Sequence, residues 1–380
     1  MTDGQTIDLK KRVYELVFKN LYETSEYDKS ILELYQRYIA LERKQISFDV
    51  EKIKNTLCEE VLKNYSEKKY EKLYSLENAI YGLIPSKNIS SKILKSVSDN
   101  YEIFFMEDVF LKSVISRFHS VPEEQLQFQY SCGFVVDDLT EYFDATRPSR
   151  MEMILNSGFK VTDEQLKRAR ANIKKITENK VSKYNSQPIV EPKIGRDGVS
   201  KVLVIDQSYN DYSIIKGCAD DSTFEKMLEC AIEENPDADI IIKTHPDAIG
   251  TTAIKTKCYY QNIQEHDNIY KFTAPINPYS IIGSADKIYV CTSQFGFEAL
   301  MCGKEVHTFG MPFYAGWGLS VDNQKCERRT RTRTLEEIFY IAYIYMSQYI
   351  NPETCQKCEI EDAIDYLIKN RQKYFSEVEK

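Results

Sequence analysis

Between Lys201 and Gly318 short apolar runs alternate with stretches of helical period. KVLVID, DIIIKTHP, NIYKF and KIYVC are the runs, and STFEKMLECAIEENP and PINPYSIIGSADK are two of the helical connections. Strands joined by helices of this length form a parallel sheet wrapped on both faces. Pro236 ends the first of these helices, and in the second Asn277 is the expected N-cap with Pro278 in the first turn. Ligands of such sheets bind at the carboxyl ends of the strands. The unit from Lys287 to Gly318 therefore carries most of the functional expectation. Thr292 and Ser293 follow KIYVC as caps for the next helix, Gly296 leaves its N-terminal face open, and free N–H groups there would face an anion. His245 and Pro246 close DIIIKTHP at the same sheet edge. Singly these read as an ordinary strand-to-helix corner and a structural histidine; together they read as a two-pronged phosphate clamp.

The first half is sparser. YEIFFMED is an apolar strand that delivers Glu107 and Asp108 at its end, and FLKSVISRF follows with helical spacing. CGFVVDD ends in Asp137 and Asp138, and Ser149 is the expected cap of a helix closed by Gly158. Residues 163–183 continue as a basic helix. VSKYNSQPIVEPKIGRDGVS has two prolines, two glycines and no apolar period, the composition of an interdomain linker. The expected fold is α/β, with two Rossmann-like domains facing a central cleft: residues 1–190, including a helical N-terminal segment, and residues 191–380, with two closing helices. Lys, Glu, Tyr and Leu dominate residues 1–95, where a packed helical layer is expected; the other reading is an acceptor or membrane-surface contact through the lysines.

At 380 residues two domains are the natural prior, and a net charge of -8 argues against a surface built for nucleic acid. No run approaches the ~20 apolar residues of a membrane span, and the start MTDGQTIDLKKR has no signal-peptide core, so a cytoplasmic chain is expected. The ten cysteines are scattered as reduced thiols would be; Cys355 and Cys358 form the only CxxC, without a second pair of zinc ligands. No metal is expected, since no convincing DxD motif stands beside a nucleotide strand.

KTHP, TSQFGFEAL and above all GMPFYAGWG followed by ERRTRTRTLEEIFYIAYI resemble the bacterial capsular polysaccharide β-Kdo transferases. EDVFLKSV and DDLTEYFDATRPSRMEMIL extend the resemblance over roughly residues 100–350. Two departures from the family pattern EDGFLRS are Val109 for Gly and Lys112 for Arg, which keeps the charge and loses the planar fork. The resemblance implies a GT-B architecture and a retaining transfer of Kdo from CMP-β-Kdo to a hydroxyl of an oligosaccharide or glycolipid acceptor, with no cofactor. A peripheral contact with the inner membrane face or with capsule assembly proteins is a further expectation.

By the same likeness the HP and Ser/Thr motifs at His245 and Ser293 would hold the CMP phosphate. Pro246, Thr292, Gly296 and Glu298 complete the expected nucleotide site, and Trp317, between Gly316 and Gly318, reads as an aromatic platform for cytidine or sugar that Tyr314 shares. Asp206, at the end of KVLVID, matches the family's candidate nucleophile; an Asp there equally caps the following turn. Glu107, or Asp108 beside it, is the expected base for the acceptor hydroxyl. Kdo carries a carboxylate, so a cation is required. Lys112, Arg329 and Arg331 are the candidates, within a run Arg328, Arg329, Arg331 and Arg333 that could also be a solvated surface. Alternatives are a CDP-glycerol-type glycerophosphotransferase and a non-catalytic glycan-binding module.

Overall fold

A computed structural model describes residues 81–82, 104–116, 119–137, 140–245, 257–354 and 356–378. The helical layer expected over residues 1–95 lies outside these apart from 81–82, as do Asp138, Pro246 and Cys355. The second half is the doubly wound sheet. Strands β4 (Lys201–Ile205), β5 (Asp239–Lys243), β6 (Ile269–Phe272), β7 (Lys287–Val290), β8 (Glu305–Thr308) and β9 (Val321–Asp322) lie in the order β6-β5-β4-β7-β8-β9, all parallel. Their side chains alternate between two cores. Val202, Val204, Ile240, Ile242 and Tyr289 face one; Leu203, Ile205, Ile241, Ile288 and Val290 face the other. Strands buried on both faces are apolar throughout, which is why they are readable as unbroken runs.

The core on the second face continues into the first domain, where it takes in Val109, Phe110, Leu111, Val135, Met151 and Ile154. That domain is built on a second sheet, β1 (Tyr81–Gly82), β2 (Phe104–Asp108), β3 (Gly133–Asp137), β10 (Ser347–Asn351) and β11 (Gln356–Cys358), in that order. Only β1 and β2 pair in parallel. The described part of this sheet is therefore mainly antiparallel rather than Rossmann-like. Two of its strands come from the C-terminal end of the chain, and helix α8 (Ile360–Val378) packs on β10. The division expected at 190/191 thus follows the linker but not the sheets, since residues 347–378 return to the first domain.

Local signals set the helix starts. Ser149 accepts the Glu152 N–H to cap α1 (Arg150–Asn156), and Thr162 with Gln165 forms a capping box on α2 (Asp163–Glu178). Asp211 caps the short α3 (Tyr212–Lys216), and Asp220 with Thr223 boxes α4 (Asp221–Glu234). Asn277 caps α5 (Pro278–Gly283) by accepting the Tyr279 N–H, with Pro278 leading as expected. After α6 (Phe295–Met301), α7 (Leu335–Phe339) widens into a π-helical turn over Tyr340–Tyr345. FLKSVISRF is not helical over its described part. The amides of Lys112 and Ser113 go to the Lys183 carbonyl and those of Val114 and Ile115 to Phe128, so its hydrogen bonds are long-range. Among the described residues no helix is long and apolar enough to cross a membrane.

Aromatic rings join the two halves. Phe110, fully buried, stacks on Tyr343 at 4.4 Å and meets Tyr142 at 4.9 Å and Phe313 at 5.0 Å. Phe110→Ala is expected to destabilise the chain by about 3–5 kcal/mol. Equilibrium denaturation of the variant measures this, and a loss below about 1 kcal/mol would show that the two halves are held together elsewhere.

Candidate active site

The β4 loop organises the carboxyl edge of the parallel sheet through three consecutive residues. Asp206 is 1% exposed, and its carboxylate accepts the N–H groups of Gln207 at 2.9 Å, Tyr259 at 3.0 Å and Tyr260 at 3.2 Å. Burial pushes this carboxyl up to about 6 despite those bonds, which favour the ion. Gln207 accepts the Thr292 N–H at 2.9 Å and donates to Thr292 Oγ1 at 3.0 Å. Ser208 Oγ lies 3.2 Å from His245 Nδ1. His245, at the end of β5, and Thr292, at the end of β7, stand on either side of β4, two strand spacings apart or about 10 Å. Gln207 and Ser208 thus join the two prongs of the expected clamp. Sequence reasoning assigned neither a role; adjacency to Asp206 at a strand end was the available signal.

The helix that follows Thr292 is arranged differently from expectation. Its N-cap falls on Gln294, which makes no side-chain cap bond but donates to the Phe110 carbonyl at 2.9 Å, while Ser293 Oγ accepts the Phe295 N–H at 3.2 Å. Gly296 is small because the Tyr314 hydroxyl occupies the place of a Cβ. That hydroxyl donates to the Ser293 carbonyl at 2.7 Å, so Tyr314, fully buried, supports the turn from behind rather than offering a ring to a ligand. Trp317 is buried too, its indole N–H donating to the Phe313 carbonyl at 2.9 Å and its ring covered by Arg329.

The arginine run is structural in this geometry. Arg329 donates to the Pro312 and Ala315 carbonyls at 2.6 and 2.7 Å and to Glu152 at 3.0 Å, and Arg328 pairs with Glu152 at 2.7 Å. Arg331 donates to the Asn156 carbonyl, and Arg333 to the carbonyls of Leu155, Ser157 and Phe159. The run ties the C-terminal end of α1 to the loop over residues 312–317. It leaves Arg329 enclosed by protein partners, while Arg331 is exposed and makes a single bond.

Across from the β4 loop, β2 presents Glu107 and Asp108, both half-buried. Lys112, fully buried, forms a short ion pair with Asp108. Tyr142, Asp211 and Lys183 lie close enough to this acidic pair to share its electrostatics. Beside it Asp144, 1% exposed, receives Lys216 Nζ at 2.6 Å and Thr140 Oγ1 at 2.7 Å. Burial pushes the Asp144 carboxyl up, and the bonds from Lys216, Thr146 and Thr140 reverse this to leave it below its ordinary value. Lys183, Lys216 and Asp144 carry no motif in the sequence, since Lys183 lies in the linker, Lys216 ends a five-residue helix and Asp144 is one of many acids.

Glu298, on α6, is 3% exposed and turned away from the Thr292 corner. It accepts Ser182 Oγ at 2.6 Å and the Lys183 N–H, and burial pushes its carboxyl up to about 7. The folded chain then holds a proton that the unfolded chain releases near 4.5, so stability owed to this group is complete below that pH and lost as pH rises through about 7. Glu298→Gln keeps an acceptor for Ser182 and should remove the loss. Thermal melts at about pH 5 and about pH 8 are expected to show the variant gaining on the parent at the higher pH; a constant difference between the two chains would contradict the assignment.

A family model described as capsule polysaccharide biosynthesis protein matches residues 83–352. The capsule polysaccharide modification protein LipA of Neisseria meningitidis serogroup B is 38% identical over 278 residues, 70% of this chain and 38% of that protein. The lipopolysaccharide-processing protein LpsZ of Rhizobium meliloti is 33% identical over 273 residues, 71% of this chain and 59% of its own length. The chain thus spans well under two thirds of these relatives. Among solved structures, Thermosulfurimonas dismutans KpsC, beta Kdo 2,4 transferase, superposes with a TM-score of 0.68 at 39% identity, over 76% of this chain and 85% of that one. The beta Kdo 2,7 transferase of the same KpsC superposes with a TM-score of 0.53 at 22% identity, over 95% and 96%, a likeness of fold.

Proposed function

We propose, for a chain that belongs to the capsule polysaccharide biosynthesis protein family, that it transfers Kdo from CMP-β-Kdo to a saccharide hydroxyl with the β configuration kept. The observation that carries this reading is the match to a β-Kdo transferase at 39% identity over 85% of its length, together with an acidic pair that shares the neighbourhood of Lys183 with Asp211 of the β4 loop. CMP leaves as an anion, and His245 with the Thr292–Ser293 turn are the groups offered to its phosphate. Donors fixed where charge develops lower the barrier to departure. Glu107 takes the proton of the acceptor hydroxyl, and the Lys112 pair holds Asp108 beside it.

Retention needs either attack from the departing side or a covalent intermediate, in which a carboxylate attacks the anomeric carbon as CMP departs and then yields to the acceptor. Asp206 stands at a suitable strand end. Its oxygens accept three amide N–H groups and the residue is 1% exposed, so attack through it uses the remaining lone pair of Oδ2 once the carboxylate is uncovered. The nucleotide sugar places the reaction in the cytoplasm, and a glycolipid acceptor would bring the chain to the inner membrane face.

The chain should release CMP from CMP-β-Kdo generated in situ, in the presence of Kdo-primed oligosaccharide acceptors, and yield a β-linked product by NMR. An α-linked product would defeat the retaining mechanism, and glycerol phosphate transfer from CDP-glycerol would replace the reading altogether. Peptide mapping of the enzyme quenched during turnover is expected to find Kdo attached at Asp206. An adduct on another carboxylate would move the nucleophile there and leave Asp206 as the organiser of its loop.

A further inference from the structure

A site that handles a sugar acid needs a cation, and of the three expected from sequence Lys112 is paired with Asp108 and Arg329 with Glu152 and two carbonyls, while Arg331 is exposed and donates to the Asn156 carbonyl. Lys183 is different. Among the described residues its ammonium makes no hydrogen bond and no ion pair, although Tyr142, Asp108, Glu107 and Asp211 all lie near enough to act on its charge. Desolvation works against that charge and these neighbours outweigh it, so the amine stays protonated.

The backbone around Lys183 is held from several directions. Its carbonyl accepts the N–H groups of Lys112 at 3.2 Å and Ser113 at 3.1 Å, and its own N–H goes to the Glu298 carboxylate. Ser182 is fixed to Glu298 at 2.6 Å, and Asn185 bonds the Ser113 carbonyl at 3.0 Å and the Val114 carbonyl at 2.8 Å. None of these bonds uses the Lys183 side chain. The linker is thus locked by backbone and neighbours in a conformation that delivers an uncommitted cation to the acidic pair of the cleft.

We propose that the Lys183 ammonium receives the carboxylate of the transferred sugar acid, and is therefore a substrate-binding residue that selects acidic over neutral sugars. The proposal rests on the Kdo-transfer reading of the same site. In a keto-sugar acid the carboxylate is bonded to the anomeric carbon itself, so an enzyme carboxylate within about 3–3.5 Å of that carbon meets a second negative charge. Glu107 and Asp108 add further negative charge on the acceptor side, and a cation beside them offsets the repulsion from that pair. An ammonium on a flexible stem suits a point contact of this kind, and its backbone here is already ordered.

Lys183→Met and Lys183→Arg are compared with the parent chain in turnover of CMP-β-Kdo generated in situ, in inhibition by free CMP, and in binding of free Kdo by ligand-observed NMR. Lys183→Met should raise KM for CMP-β-Kdo by about 10- to 100-fold, the range for a hydrogen bond to a charged group, and weaken free Kdo by a similar factor. Inhibition by CMP, which lacks the carboxylate, should stay within about twofold, and Lys183→Arg should recover much of the lost affinity. An unchanged KM and Kdo affinity, or an equal loss of CMP and Kdo affinity, overturns the assignment. A parent chain that binds Kdo but releases no CMP from CMP-β-Kdo sinks the transfer reading and leaves the Lys183 comparison standing; a parent chain that does not bind Kdo overturns the proposal as well.

Discussion

The contact on which the molecule depends is the burial of Phe110 between the two sheets. Phe110 follows directly on Glu107 and Asp108, and its ring is enclosed by Tyr142 from the first domain, Phe313 from the loop after β8 and Tyr343 from the π-helical turn. Phe297 of α6 packs on Phe313 at 5.2 Å and on Tyr343 at 5.5 Å. Aromatic pairs at these separations add to the area they bury, and five rings from five distant segments fix the relative position of those segments closely. The acidic pair is held in place against the nucleotide-side loops because the residue two or three positions on cannot move without opening this cluster. Gln294, donating to the Phe110 carbonyl, ties the start of α6 to the same point.

A second constraint is electrostatic. Glu152 and Arg329 are each buried and neutralise one another across the junction of α1 with the loop over residues 312–317, with Arg328 on the outer side. A buried pair of this kind adds little net stability, since desolvation offsets the attraction, but it strongly penalises any arrangement that leaves one partner alone. Here it makes the loop conditional on the first domain. The loop's shape in turn needs Gly316 and Gly318 at φ +82° and +85°, a region that favours glycine, and at Gly316 a side chain would press on Arg329. GMPFYAGWG and the arginines after it are therefore one structural device. Their chemistry resembles ligand recognition because Arg binds main-chain carbonyls with the same planar fork that binds carboxylates.

This explains which parts of the site are legible in sequence. The parallel sheet is, because β4, β5 and β7 have apolar interiors and α4 and α5 start at Asp and Asn caps. The strand ends at Asp206, His245 and Thr292 follow from it, as does β2 ending at Glu107 and Asp108. Less visible is anything that depends on distant partners. FLKSVISRF has helical spacing, yet its amides are claimed by Lys183 and Phe128; Gly296 yields to a hydroxyl eighteen positions later in the chain; and residues 347–378 cross back to the first sheet. Lys183 sits in a stretch whose prolines and glycines read as a spacer, and composition carries no trace of a spacer pinned on both sides.

The β4 loop connects these constraints to chemistry. Asp206 anchors the Tyr259–Tyr260 turn, Gln207 grips Thr292 and Ser208 meets His245, so a ligand that moves either prong acts on one continuous loop. The same loop runs on into α3, whose Lys216 is paired with Asp144 of the first domain, and the Lys216 carbonyl accepts the Ala145 N–H at 2.8 Å. Between the two lies Asp211, which caps α3 and also bears on Lys183. The expected phosphate clamp at one end of the loop and the Lys216–Asp144 pair at the other are thus linked by fewer than a dozen residues. A shift at the clamp end of such a loop would reach Asp211, which acts on the same Lys183 as Glu107 and Asp108. That coupling follows from the loop's short length and its fixed contacts, and does not require the domains to close as rigid bodies.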